Sequence, residues 1–395
     1  MPAKMLRNTP IIGKKILIIS HDASLTGAPV LLLNLVKLLK EKGFRFNTLF
    51  VKGGGMVNQF REQTELCDVF YKKAKSSLFR KLERRISGKV RETDISPLLQ
   101  GVDYVLSNTI TNGEILARVR KVFKGPVISY IHELEMVTFI CTTEQSLEQT
   151  LKYSDHFIVD SGAIKGFLNK KLQVEENKIS VINSYNPPLK EPLPGKAEQF
   201  RATNRISATF VVGALATAEW RKGPDLFVLI AGLVHQRIPS ADIQFVWMGG
   251  KRTSLEKRQL SYDLERIPGG EKVVLIDGSP DIGVFFDSIS LFILPSREDP
   301  YPLVVLDAAS KKIPVICFAK SGGAPEFIED DAGMVIDYLD INSMADAICM
   351  YFNERTILQK HGERALQKAR ELHHDKALVT NQIINVLTSL EGKKG

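Results

Sequence analysis

Glu298, Asp299 and Asp307 place three carboxylates in one short stretch, LPSREDPYPLVVLDAASKK, and their surroundings differ sharply. The apolar run LFILPS predicts a strand, and REDPY is the loop at its carboxyl end. Pro302 fits the first helical position, where a missing N–H costs nothing. LVVLDAASKK then predicts a helix with Lys311 and Lys312 favourably placed at its C-terminal end. Leu303, Val304, Val305, Leu306, Ala308 and Ala309 surround Asp307 on nearly every side, and a helix that is apolar all round is a buried one. A buried carboxylate is costly unless something donates hydrogen bonds to it. In mid-helix it cannot cap its own backbone, so a partner must come to it. A pair of sugar hydroxyls suits that role; a backbone amide or an arginine is the plainer alternative, with Glu298 and Asp299 merely solvated. The free N–H groups of Leu303 and Val304 form the kind of helix N-terminus that attracts phosphate. Hydroxyl acceptors on either side of phosphate donors match the polarity of a nucleoside diphosphate sugar.

Cations and small residues recur at other strand ends. In VVGALATAEWRKGPDLFVLIAGLV the strand is expected to end at Gly213 and Pro224 to open a helix. Lys222 stands just before that helix, with Arg221 beside it, where a flexible cation reaches phosphate as a point charge. An ordinary solvated lysine is the plainer reading. In SHDASLTGAPVLLLNL, His21 ends the first strand, and Thr26, Gly27 and Ala28 bring small residues and free N–H groups to a helix start. His132 and Glu133 follow the strand PVISYIH, Asn108 ends DYVLSN, and Ser161 is expected to cap a helix. Gly53-Gly54-Gly55 reads as a flexible turn, and the G-x-G-x-x-G fingerprint of dinucleotide enzymes is absent. No D-x-D pair or histidine cluster points to a catalytic metal, and no other cofactor is implied.

These positions need a scaffold, and the chain supplies one repeatedly. Short continuous apolar runs alternate with helical patterns from end to end, as in a parallel sheet covered on both faces. Residues 183–199, with four prolines and few apolar side chains, read as a linker, after which the strand–helix alternation restarts. The expectation is an α/β protein of two Rossmann-like, doubly wound domains facing each other across a cleft, ligands binding beyond the carboxyl ends of the strands. The boundaries expected are a basic tail at 1–13, a first domain at 14–188, a second at 189–374, and a C-terminal helix at 375–395 that crosses back to the first.

The 395 residues, 44% hydrophobic and 25% charged, are those of an ordinary globular chain. Four scattered cysteines without C-x-x-C spacing argue against a disulfide framework or zinc site and for a cytoplasmic setting. The N-terminus lacks the apolar core of a signal peptide. A net charge of +8 suits an anionic ligand or membrane surface, while the lack of any nucleic-acid-binding signature argues against that partner. Nine of those cations crowd into residues 71–91 against Glu83 alone, with Leu78, Phe79, Leu82 and Ile86 at helical spacing. Such a helix lies on anionic lipid, on the inner membrane face here, or is a plain solvated surface helix.

The spacing of Asp299 and Asp307, eight apart, and the following AASKKIPVICFAKSGGAPEFIEDDAGMVID with its GG-x-P-E turn resemble the E-x7-E region of retaining GT-B glycosyltransferases of family 4. The resemblance covers nearly the whole chain. It implies that Asp299 contacts the donor sugar, with Glu298 as its neighbour, and that Asp307 contacts the ribose. It further implies that Lys222 binds the diphosphate, that His132 lies near the reacting carbon, and that the first glycine-rich loop adjoins donor phosphate and acceptor. Both acids are Asp where that family has Glu, and Gly213 is followed by Ala214 where it has Arg. The expected activity is metal-independent transfer of a sugar, with retention, to a glycan or lipid-linked acceptor in polysaccharide or lipid-linked glycan synthesis. A non-catalytic scaffold or partner subunit, or a sugar-nucleotide epimerase or hydrolase, is the alternative on the same fold.

Overall fold

The computed structural model describes residues 13–71, 93–250, 255–279 and 281–391; the basic segment at 72–91 and the tail at 1–12 lie outside them. The described chain divides into two compact units. The first comprises residues up to Asp160, then 164–185 and the stretch from Lys376; the second comprises 161–163 and 186–375.

The first unit is built on a seven-stranded parallel sheet in the order β3-β2-β1-β4-β5-β6-β7. Its strands are β1 (Lys15–Ser20), β2 (Arg45–Phe50), β3 (Leu66–Val69), β4 (Tyr104–Asn108), β5 (Val127–Ile131), β6 (His156–Val159) and β7 (Ile179–Val181). Strands β4, β5 and β6 are buried along their whole length, which is why they read as largely apolar runs. The helix Gly27–Glu41 buries Leu32, Leu35, Val36 and Leu39 in the same core cluster as Val379, Ile383, Val386 and Leu387 of the helix Lys376–Glu391.

The second unit carries a six-stranded parallel sheet in the order β10-β9-β8-β11-β12-β13. These strands are β8 (Phe210–Leu215), β9 (Ile243–Met248), β10 (Val273–Ile276), β11 (Leu291–Leu294), β12 (Val315–Phe318) and β13 (Gly333–Ile336). In each sheet the strand order reverses direction once, between β1 and β4 and between β8 and β11. Loops leaving the carboxyl ends there diverge and leave a crevice, the usual ligand position in such sheets.

Local expectations needed three corrections. Strand β8 does not end at Gly213 but runs on to Leu215. Gly213 serves packing: a Cβ there would lie 2.7 Å from Ile289 and 2.8 Å from Phe285. The linker reading of 183–199 runs into a helix, Lys196–Thr203, whose Phe200 packs on the second unit's core and whose Arg201 donates to the Ser288 and Ala208 carbonyls. Pro302 precedes the helix Leu303–Ser310 instead of occupying its first position. Just before the helix Gly162–Lys170, Ser161 donates its hydroxyl to the Pro300 carbonyl (3.1 Å), and the Glu326 carboxylate takes the amides of Gly162 and Ala163.

Among the described residues no helix is long and apolar enough to cross a membrane.

Candidate functional site

In the second unit the loops after β8 and β11 form one polar rim. Lys222 Nζ donates to Asp299 Oδ2 at 2.5 Å, and both side chains are largely buried, 14% and 6% exposed. Gly223 brings them together. It sits at φ +70°, and a side chain there would strike the Pro295 carbonyl oxygen, so only glycine lets the β8 loop approach the β11 loop so closely. The two loops are laced further by the amides of Arg297 and Glu298, which both donate to the Arg221 carbonyl. Arg297 forms a two-pronged ion pair with Asp225 (2.9 and 2.7 Å) and lies over the Trp220 ring. Burial, aided by the neighbouring Arg221, lowers the Lys222 pKa against the opposing pull of Asp299. Arg221 itself pairs with Glu219 at 3.1 Å. Asp299 is held from behind as well: its amide donates to the Ser321 carbonyl, and Gly323 of the GG-x-P-E turn donates back to the Pro300 carbonyl.

The helix Leu303–Ser310 begins a few residues after Asp299, with Pro302 extended just before it and no side chain capping its first turn. The amides of Leu303 and Val304 belong to that uncapped turn. Asp307 is buried, as its apolar helix requires. The partner that comes to it is neither backbone nor arginine: Asn186 Nδ2 donates to Oδ1 at 2.9 Å. One amide does not offset the lost water. Burial pushes the carboxyl up to about 7, and Asn186 only moderates the shift.

In the first unit the rim at β1, β4 and β5 is centred on His132, whose side chain is 8% exposed. Its Nδ1 lies 2.5 Å from Asp160 Oδ2 and its Nε2 lies 2.8 Å from Asn108 Oδ1. Tyr130 (2.5 Å) and Ser184 (2.7 Å) donate their hydroxyls to the other Asp160 oxygen. Burial alone would lower the imidazole pKa, but the Asp160 charge and hydrogen bond reverse the sign and raise it. Glu133 is buried, its carboxylate taking the amides of Ile110 (3.1 Å) and His132 (3.0 Å), and burial raises its pKa. Thr109, beside Asn108, holds φ +88°, a strained conformation for a threonine and of a kind that gathers at functional sites. His21 lies on the same rim, 3.4 Å from Asp22, with its Nδ1 buried and without a hydrogen-bond partner, and burial lowers its pKa. Thr26 and Gly27 are exposed and Ala28 half-buried at the start of the helix Gly27–Glu41.

Within each unit, then, residues distant in sequence converge. Lys222, Arg221, Glu298 and Asp299 share one rim, and His132, Glu133, Asn108 and His21 share another. Ala214, at the place of the missing arginine, is 2% exposed inside β8 opposite Trp247, so its side chain belongs to the sheet core. Three residues escaped the sequence reading: Asp160, Asn186 and Arg297. Asp160 directly follows β6 in the stretch HFIVDS, and an acid just past an apolar strand was the available signal.

A family model described as "Glycosyl-transferase family 4" matches residues 12–163, and one described as "Glycosyl transferases group 1" matches residues 208–354. The Vi polysaccharide biosynthesis protein VipC/TviE of Salmonella typhi is 24% identical over 216 residues, 54% of this chain and 36% of that protein. The lipopolysaccharide core biosynthesis mannosyltransferase LpcC of Rhizobium leguminosarum is 23% identical over 180 residues, 45% of this chain and 50% of that protein. The alignments thus span half or less of those two relatives' own lengths. The crystal structure of Anabaena Alr3699/HepE in complex with UDP superposes with a TM-score of 0.77 at 16% identity, covering 95% of this chain and 100% of that one. With a family model on each half and this fold, the chain belongs to the group 1, family 4 glycosyltransferases of the GT-B type.

Proposed function

We propose that the protein transfers a sugar, with retention and without a metal, from a nucleoside diphosphate sugar to an acceptor hydroxyl. The acceptor is a growing polysaccharide or lipid-linked glycan. The observation that carries this reading is Asp307, a buried carboxylate with a single amide donor, next to an uncapped helix start and a buried lysine. Ribose hydroxyls would supply the donors that Asp307 lacks. Lys222, assisted by Arg221, and the amides of Leu303 and Val304 would bind the diphosphate, Pro302 fixing the entry to that turn. An incoming phosphate favours the charged form of Lys222, which burial disfavours. Negative charge develops on the leaving diphosphate during transfer, and fixed donors aimed at it lower the barrier. Asp299 and Glu298 would take sugar hydroxyls. His132 would serve the reacting end of the sugar, and Asn108, Glu133, His21 and the loop through Thr26, Gly27 and Ala28 the acceptor. No side chain is assigned as nucleophile: the acceptor attacks from the face the diphosphate leaves, and its proton passes to the leaving phosphate oxygen. The relatives named for polysaccharide and lipopolysaccharide synthesis, and the UDP bound by the Anabaena protein, support this reading.

The direct test is a thermal-shift screen against UDP-, GDP-, dTDP- and ADP-sugars, with the matching nucleoside diphosphates beside them. A ligand at 100 times its Kd stabilises by about 2.7 kcal/mol through mass action, so one base series should stand out. Absence of any shift would reject the donor site and favour a second reading, a non-catalytic partner subunit. That reading draws on Ala214, which sits in the sheet core and offers no cation to a diphosphate.

The basic segment at 71–91 is proposed to hold the protein on the anionic inner face of the membrane, beside a lipid-linked acceptor. Binding to vesicles containing anionic lipid should fall steeply when four of its cations are neutralised; unchanged binding would assign the segment to solvent.

A further inference from the structure

The hydrogen-bond directions around His132 fix its charge. Asp160 Oδ1 already receives the hydroxyls of Tyr130 and Ser184, and a carboxylate oxygen only accepts, so its Oδ2 calls for a proton on Nδ1. On the other side of the ring, the orientation of Asn108 is set independently. Its Nδ2 donates to the Ala28 carbonyl at 3.2 Å, and turning the amide over would set two oxygens against each other. Asn108 therefore presents Oδ1 to the ring, and that oxygen calls for a proton on Nε2 as well.

We infer that His132 is a permanent imidazolium, held charged by Asp160 as its positioning residue, and that it acts on substrate as a cationic hydrogen-bond donor through Nε2–H and never as a general base. This rests on the glycosyl-transfer reading only for what the donor touches. A sugar hydroxyl or phosphate oxygen takes the place of Asn108 Oδ1, and no proton is transferred.

The surroundings agree. The ionisable groups packed around the ring are Asp160 after β6, Tyr130 on β5 with its ring 4.2 Å away, the adjoining Glu133, and His21 after β1. Two of these are acids that favour a cation. His21 is the opposing base, and burial keeps it from competing for the charge.

The experiment is an NMR titration of the imidazole nitrogens in the full-length protein, with His132→Gln to assign the signal and Asp160→Asn as the test variant. In the wild type both His132 nitrogens should stay protonated well above the ordinary imidazole value of 6.5. In Asp160→Asn the second proton should be lost near or below that value. A wild-type ring that titrates at 6.5 or lower overturns the inference, even if Asp160→Asn fails to fold. A charged ring that is unaltered in Asp160→Asn removes Asp160 from it. Transfer kinetics give the functional half. The alkaline limb of kcat/KM should move to lower pH in Asp160→Asn, whereas a merely structural role would lower activity equally at every pH. If no donor supports transfer while the ring stays charged, the glycosyl-transfer reading fails and the charge assignment stands.

Discussion

Asp160 and Asp307 are both carboxylates buried to within a few per cent, one in each unit, and they are solvated in opposite ways. Asp160 is met by an imidazole and two hydroxyls, so each oxygen has a protein partner. Asp307 is met by one amide. A completed set of donors makes a carboxylate part of the scaffold, able to hold another group in place. An incomplete set leaves part of the desolvation cost standing, and a ligand with hydroxyls to donate can recover it. On the proposed function, the difference separates a group that prepares a site from a group that a ligand completes.

Asp307→Asn tests this contrast most strongly. The folded carboxyl is raised to about 7 from 3.8, so between those values the folded protein holds a proton that the unfolded chain has released. Stability therefore falls as pH rises from about 4 to about 7, and above that the full penalty of the buried charge remains. Asparagine carries no such penalty. The variant should melt several degrees higher than the wild type at pH 8, taking about 2–4 °C per kcal/mol for a unit of this size, with the advantage gone at pH 4. Its affinity for the nucleoside diphosphate sugar should fall about tenfold or more, the worth of hydrogen bonds to a charged acceptor. Melting curves at the two pH values and a donor titration check both halves. A lower melting point at pH 8 would make Asp307 a structural acid like Asp160.

A smaller effect sharpens the comparison. Asn186→Ala removes the hydrogen-bonding amide of Asp307, while Ser184→Ala removes one of three donors to Asp160. The first should cost about 1.5–3 kcal/mol above pH 7 and the second about 1 kcal/mol, as urea unfolding would report. Equal costs would mean that the number of donors is not what distinguishes the two acids.

The two sheets were readable in the sequence because their central strands are covered on both faces and hence continuously apolar. Edge strand β3 was not: its LCDV is half-buried or exposed and carries an aspartate, so no apolar run marks it. Asp307 was singled out because it stands inside an apolar helix, where its type is out of place, whereas Lys222 and Asp299 took their expected roles from the family resemblance. Their partners were harder. Asn186 lies 121 residues from Asp307, and Asp160 lies 28 from His132, and no local pattern connects them. The linker expectation also hid Ser184 and Asn186, since a proline-rich composition says nothing about what its polar side chains bind. Gly213 was misplaced for a related reason. A glycine ends a strand or admits a close neighbour, and only the packing of Ile289 and Phe285 decides which.

The helix Lys376–Glu391 has a consequence for how the protein is made. It completes the first unit's core, and Tyr104 reaches across 287 positions of sequence to bind Glu391. The second unit, from 186 to 375 apart from 161–163, is nearly continuous in sequence and emerges from the ribosome before that helix exists. During synthesis the first unit therefore waits, its core lacking Val379, Ile383, Val386 and Leu387, while the second folds. Closing so distant a contact early would cost loop entropy before any burial rewarded it. The unit that is translated first is thus the last to be finished, and its exposed seam is where a chaperone would be needed.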